Sequence, residues 1–434
     1  MPEGRAGAVP RRSPVASAAW GWRWEAALGL SAGLAFHLAD ALVGGVGGGV
    51  LVLGLVAVTV GAVPGLRRRL TALLRRRSVD RWFSAALSAC GVIGPWGRPP
   101  AVRDSSPVPA GMAVRVRIPF GHHCGHLELA ATSLAAALRA REVRVLRDPG
   151  DAGMATVTVV WRDPLGTASH PWPWSSFPRT SLWQPVPLGV DENGQLVSVT
   201  LPEHNLLLGG EPGAGKSAAL SLLVAGAALD PAVRLTLLDA KQVELSGWVD
   251  SADRFVGPDM DEAAEVLGDL CAEMDHRYEE LLRRRRRKVD PADGMALHVV
   301  VIDELAFYLR SGDRAKRQAV TEGLRDLVSR GRAAGMIVLA ATQKPSHEIV
   351  PTWVRDLFGF RLALRCTTNE ASDTVLGQGW ASQGYSAAAI DPAARGVGFL
   401  LHEGEVPVKL RTFYLPDEGL AELADRAARL RGQW

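Results

Sequence analysis

The octapeptide Gly210-Glu211-Pro212-Gly213-Ala214-Gly215-Lys216-Ser217 constrains this chain more than any other segment, because of what flanks it. An apolar run, Asn205-Leu206-Leu207-Leu208, precedes it and an Ala/Leu-rich stretch begins at Ala218, so the local order is strand, glycine loop, helix. That order sets backbone N–H groups at a helix N-terminus, where they curl around phosphate oxygens. Gly210, Gly213 and Gly215 supply the bare backbone, Lys216 reaches the β and γ oxygens, and the Ser217 hydroxyl is placed to ligate Mg²⁺. The ligand expected at 210–217 is ATP with Mg²⁺.

A second run, His298-Val299-Val300-Val301-Ile302-Asp303-Glu304, has the continuous β-branched character of a buried parallel strand and ends in two acids. In a nucleotide site, Asp303 holds the metal through water and Glu304, one residue on, polarises the attacking water as a general base. Acids at a helix N-terminus also arise for purely local electrostatic reasons. The glycine loop upstream favours the catalytic reading.

At 434 residues the chain has room for two or three units. Between Ala26 and Leu66 there is no Lys or Arg, and two apolar stretches, about 24–40 and 46–63, read as a transmembrane helical hairpin with Asp40 at its turn. Arg5, Arg11, Arg12 and Arg23 precede it and arginine clusters at 67–69 and 75–77 follow, which places both ends in the cytoplasm of a multi-pass cell-membrane protein. The net charge of +3 averages over a lopsided distribution and identifies no partner by itself. Cys90, Cys124, Cys271 and Cys366 are scattered without a C-x-x-C pair, which argues against a disulfide framework or a structural zinc site. The cluster His122-His123-Cys124-Gly125-His126 packs four potential ligands into five residues, too tightly to converge on one ion, and reads as a loop after a strand at Val114–Ile118.

The expected layout is a basic tail at 1–23, the hairpin at 24–66, and a basic juxtamembrane segment and linker at 67–110. A small α/β domain follows at 111–165, then a Pro-rich linker at 166–186, a motor at 187–415 opening with an Asn193-Gly194 hairpin, and a helical tail at 416–434.

Four further segments carry a resemblance. Leu235-Thr236-Leu237-Leu238-Asp239-Ala240-Lys241-Gln242-Val243-Glu244-Leu245-Ser246 is similar to the "DPK-x-x-ELS" segment of FtsK/SpoIIIE motors. Glu273-Met274-Asp275-His276-Arg277-Tyr278 resembles their "EMERRY" helix. Gly331–Met336 and Ala340–Ser346 resemble "ARAAGIH" and "LATQRPS", in the family's order over about 205–400. The resemblance implies an α/β fold with a RecA-like P-loop NTPase domain. It further implies a homo-oligomeric ring, usually a hexamer, that pumps double-stranded DNA with ATP bound at subunit interfaces. It makes Gln343 the sensor that couples the γ-phosphate to loop movement, and it makes Arg332 and Arg361 candidates for an arginine acting in trans.

Two features depart from the family. Asp373 stands where the pattern "DSRTILD" has arginine, and only about twenty residues follow Tyr414, too few for a winged-helix module. The compact layout resembles transfer proteins of actinobacterial plasmids and integrative elements, so conjugal transfer of duplex DNA is the expected biology. The run Arg283-Arg284-Arg285-Arg286-Arg287-Lys288 suits sequence-independent phosphate contact and equally suits a solvated helix end. Two alternatives remain open: a type VII-like protein-secretion motor, which is usually built from several tandem ATPase modules, and a membrane-tethered adaptor that binds ATP without hydrolysing it.

Overall fold

The computed structural model describes residues 81–166, 169–343, 345–346 and 351–432. The expected hairpin at 24–66 and its basic flanks lie outside the described residues. Among the described residues, no helix is long and apolar enough to cross a membrane. The chain divides into two compact units, one ending at Trp161 and the other running from Arg162 onward with Val108–Ala110.

In the first unit, residues 81–89 form α1 and a four-stranded sheet follows in the order β1-β2-β4-β3. Its strands are β1 (Ala101–Val108), β2 (Gly111–Arg117), β3 (Glu142–Arg147) and β4 (Met154–Val160), with α2 (Cys124–Ala137) between β2 and β3. In β2 the alternation is plain: Val114 and Val116 are buried while Arg115 and Arg117 are exposed. The buried valines meet Phe83 and Leu87 of α1 and Leu127 and Leu134 of α2 in one core. Two expectations are corrected here. The stretch 67–110, read as a juxtamembrane segment and linker, contains β1. The histidine cluster is the start of α2 rather than a loop. His123 Nδ1 accepts from the Gly125 N–H at 3.2 Å and His126 Nδ1 accepts from the His123 N–H at 3.2 Å, which together form a capping box.

The second unit is built on a ten-stranded mixed sheet in the order β6-β5-β14-β13-β12-β7-β11-β10-β8-β9. Its central strands are β7 (Leu206–Gly209), β8 (Val233–Leu238), β9 (Arg254–Val256), β10 (Leu297–Ile302), β11 (Met336–Thr342) and β12 (Phe360–Leu364). They run parallel, with helices over both faces, which is why β10 and β11 are apolar at nearly every position. An antiparallel wing of β5 (Val186–Asp191), β6 (Leu196–Val199), β13 (Val397–His402) and β14 (Val408–Thr412) extends one edge.

On one face, α3 (Lys216–Ala228) is buried almost all round, and the C-terminal helix α9 (Asp417–Arg431) adds Leu423, Ala424 and Ala427 to the same core. The other face carries α4 (Met260–Arg283), α5 (Leu305–Arg310) and α6 (Arg314–Arg330), with α7 (Thr352–Arg355) and α8 (Asn369–Leu376) following β11 and β12. The Pro-rich stretch read as a linker is instead a strap on this unit. Trp172 and Leu182 are buried, Trp172 Nε1 donates to the Pro187 carbonyl at 2.9 Å, and the Leu182 N–H donates to Asp230 Oδ2 at 2.7 Å.

Candidate nucleotide site

The glycine loop joins β7 to α3 and is locked in place by neighbours distant in sequence. A Cβ on Gly209 would lie 2.2 Å from Val375 Cγ2, so only glycine lets α8 pack against the end of β7. Gly213 and Gly215 have φ of +79° and +102°, in the left-handed region open to glycine. The Gly396 N–H donates to the Ala214 carbonyl at 2.9 Å, and a Cβ on Gly215 would stand 2.8 Å from that same nitrogen. The outer turn is held by the Glu211 N–H, which donates to the Arg365 carbonyl at 3.0 Å, and by an Arg365–Glu211 ion pair at 2.6 Å. No side chain caps α3, whose N-cap is Gly215, so its first N–H groups remain available to an anion.

Beside the loop, Lys216 is buried and donates to the Asp303 carbonyl at 3.4 Å. Burial lowers its pKa, opposed by attraction from Glu304 and Asp303. Asp303 is 2% exposed. Burial, reinforced by the nearby Asp239 carboxylate, raises its pKa to about 6. Asp239, wholly buried, accepts from the N–H groups of Lys241, Gln242 and Leu245, and Asp303 Oδ1 accepts from Ala240 N–H at 3.1 Å. The two acids thereby shape the 239–246 loop and set Glu244 against Lys216 and Ser217. Glu304 lies two residues past β10 as the N-cap of α5, and its carboxylate accepts from Thr342 Oγ1 at 3.0 Å and from the Gln343 N–H at 3.1 Å.

Beside these groups lies a cavity of about 560 Å³ whose wall includes Glu211, Pro212, Gly213, Gly215, Lys216, Ser217, Glu244 and Gln343, together with Arg395, Arg411 and Tyr414. A nucleotide fits a volume of this size. Ser217, Glu244 and Asp303 also face a narrow gap of about 10 Å³ beneath it. Three hard oxygen donors beside a buried lysine are the donor chemistry that suits Mg²⁺.

Residues 175–377 match the FtsK/SpoIIIE family. They form an FtsK/SpoIIIE-family domain. DNA translocase FtsK of Chlorobaculum tepidum is 29% identical over 229 residues, covering 48% of this chain and 28% of that protein. DNA translocase FtsK of Mycobacterium tuberculosis is 26% identical over 258 residues, covering 53% of this chain and 30% of that protein. The chain thus spans under a third of the length of these curated relatives. Among solved structures, the pCW3 conjugation coupling protein TcpA, in a monomer form with ATPγS, aligns with a TM-score of 0.54 at 16% identity, over 82% of this chain and 99% of that one. That likeness shows a shared fold.

Within the FtsK/SpoIIIE domain the structure brings Lys216, Ser217, Asp303, Glu304 and Gln343 together, but neither Arg332 nor Arg361 lines the cavity. Arg332 precedes β11, at the end of the sheet opposite the glycine loop, where its Nε donates to the Glu203 carbonyl at 2.5 Å and its guanidinium pairs with Glu403 at 3.4 Å. Arg361 lies mostly buried on β12, with Nε unpartnered and a long 3.8 Å ion pair to Asp356. The arginines that do line the cavity, Arg395 and Arg411, and the Thr342 hydroxyl on Glu304 carried no sequence signal, because the chain must fold before they meet the loop.

The remaining family motifs resolve into structural work. In the helix motif, Glu273 binds Arg277 at 2.7 Å, His298 at 3.2 Å and Arg234 at 2.9 Å, while Arg277 donates to the Ala296 and Ala334 carbonyls. Burial opposes a charge on Glu273, but the bonds from His298 and Arg277 prevail and hold its pKa down at about 2. Asp373, standing in place of the family's arginine, accepts from the Gly379 N–H at 3.0 Å and the Ala381 N–H at 2.8 Å, and so fixes the turn after α8. The basic run is largely committed: Arg283 and Arg284 pair with Glu280, Arg286 with Asp290 and Asp293, and Lys288 with Glu203. Arg285 and Arg287 remain exposed.

Proposed function

We propose that this chain is an ATP-hydrolysing, membrane-anchored translocase of double-stranded DNA, working as a homo-oligomeric ring in conjugal transfer or plasmid and chromosome movement. The observation that carries the reading is the convergence of the glycine loop, Lys216 and Gln343 on one nucleotide-sized cavity, with Asp303 bonded to Lys216 and Glu304 bonded to the Gln343 N–H at its edge, inside an FtsK/SpoIIIE-family domain.

In this reading the N–H groups from Gly213 to Ser217 hold the phosphates and Lys216 neutralises the β and γ oxygens. Ser217 and Asp303 hold Mg²⁺, which offsets phosphate charge when bound. Glu304 takes the proton of the attacking water as its oxygen adds to the γ-phosphorus and ADP leaves. Gln343 borders the cavity and is bonded to Glu304 through its own N–H, so it senses the γ-phosphate. Arg332 or Arg361 serves a neighbouring subunit's site, which requires at least one of them to exchange its intrachain bonds on ring assembly. The membrane hairpin at 24–66 places the motor at the cytoplasmic face.

The deciding experiment is ATP turnover by the full chain in lipid nanodiscs, with and without linear duplex DNA, beside Glu304→Gln. DNA-stimulated turnover that falls by 10²-fold or more in Glu304→Gln, with ATP affinity retained, is expected. Absence of DNA stimulation would overturn the translocase reading, and turnover unaffected by Glu304→Gln would overturn the assigned chemistry.

A further inference from the structure

The Glu304 carboxylate lies beside Lys216 yet is not part of the wall of the 560 Å³ cavity. It is turned toward the end of β11. The topology leads there: β10 ends at Ile302, paired with Ala340 of β11, and the chain bends at Asp303 into Glu304, the N-cap of α5, whose side chain meets Thr342 just past that last pair. Thr342 Oγ1 and the Gln343 N–H then donate to the same carboxylate, at 3.0 Å and 3.1 Å. Thr342 is wholly buried, and its carbonyl accepts from the Gly210 N–H of the glycine loop at 3.3 Å. One residue therefore touches both the phosphate cradle and the assigned base, and the next residue, Gln343, lines the cavity.

We propose that Thr342 and the Gln343 N–H form a clasp that stores Glu304 away from the attacking water, and that the clasp opens when a γ-phosphate draws the glycine loop and Gln343 toward itself. Thr342 is then a positioning residue that restrains turnover before the motor is engaged. The inference rests on the hydrolytic reading of Glu304. The geometry gives the mechanism its direction: a carboxylate satisfied by two protein donors has fewer lone pairs for water, and each donor must be displaced or swung aside before it acts.

The test is Thr342→Val, which keeps the β-branched shape and removes the hydroxyl, measured in the full chain in nanodiscs without DNA and then with linear duplex DNA. Loss of one hydrogen bond to a charged group shifts the clasp by roughly tenfold. Unstimulated turnover should rise by about that factor with KM for ATP unchanged, DNA stimulation should shrink accordingly, and Thr342→Ser should behave as wild type. Unstimulated turnover at or below the wild-type rate would overturn the proposal, since the hydroxyl would then support the working position of Glu304. If Thr342→Val melts well below wild type, Thr342→Cys, whose thiol donates weakly, is read by the same criteria. Adding Glu304→Gln to Thr342→Val separates the two readings: persistence of the raised turnover would show that Glu304 is not the base and would sink the hydrolytic assignment instead.

Discussion

Asp303→Asn should make the nucleotide-free protein more stable while removing its activity. Asp303 is 2% exposed, and burial beside the Asp239 carboxylate moves its titration from 3.8 to about 6. At 1.36 kcal/mol per decade, keeping it ionised costs the fold about 3 kcal/mol at pH 8. Because the folded-state value lies above the unfolded one, the stabilisation from holding a proton is fully present below about pH 4 and is lost as pH rises through 6. Asparagine removes the charge, retains an oxygen to accept from the Ala240 N–H, and nearly matches the shape. Thermal melts of the full chain in EDTA without nucleotide should place Asp303→Asn higher by about 6 °C at pH 8, at some 2 °C per kcal/mol, and the gap should close toward pH 4. Titration of Mg²⁺ with ATP present should reverse the order, because the wild type alone gains a metal ligand. A variant that is less stable than wild type at pH 8, or one whose advantage is the same at pH 4, would refute the electrostatic argument.

Gly215→Ala should cost about 3 kcal/mol, from a left-handed φ and a Cβ forced against the Gly396 backbone, and should weaken ATP binding as well as lower the melting temperature; retained affinity in a fluorescent-nucleotide titration would count against the interlocked-loop account. The double change Arg285→Ala with Arg287→Ala should weaken duplex binding uniformly across sequences and reduce the slope of log affinity against log salt by up to about 2, whereas Arg286→Ala, which loses an ion pair with Asp290, should act on thermal stability. An unchanged salt slope in the double variant would remove this run from the DNA path.

Much of the site is legible in the sequence because its parts are local. A strand, a glycine loop and a helix occupy consecutive positions, so 210–217 declares an anion cradle by itself, and β10 ends in its two acids without help from elsewhere. The His122–His126 cluster shows the limit of that locality. Its residue types suggested ligands or a loop, but the capping bonds of His123 and His126 depend on where the backbone turns into α2. The run Arg283–Lys288 is a similar case: charge density is visible in the sequence, whereas the acids that absorb it come from Glu203, Glu280, Asp290 and Asp293. The strap at Trp172 and Leu182 was hidden by its prolines, which mark irregular backbone and say nothing of whether its side chains are buried.

What the sequence by itself determined is the order of residue types: a glycine loop between a strand and a helix, an apolar strand ending in two acids, and the motifs that mark an FtsK/SpoIIIE domain. Tertiary structure decided which of those groups meet. The pairing of β10 with β11, a property of two strands side by side, brings their ends together, where Thr342 meets Glu304. Close packing between β13, β14 and the glycine loop puts Gly396 against Gly215 and brings Arg395 and Arg411 to the cavity wall. Burial, which no single residue carries in its own identity, turns Asp303 from an ordinary surface acid into one that is costly to ionise.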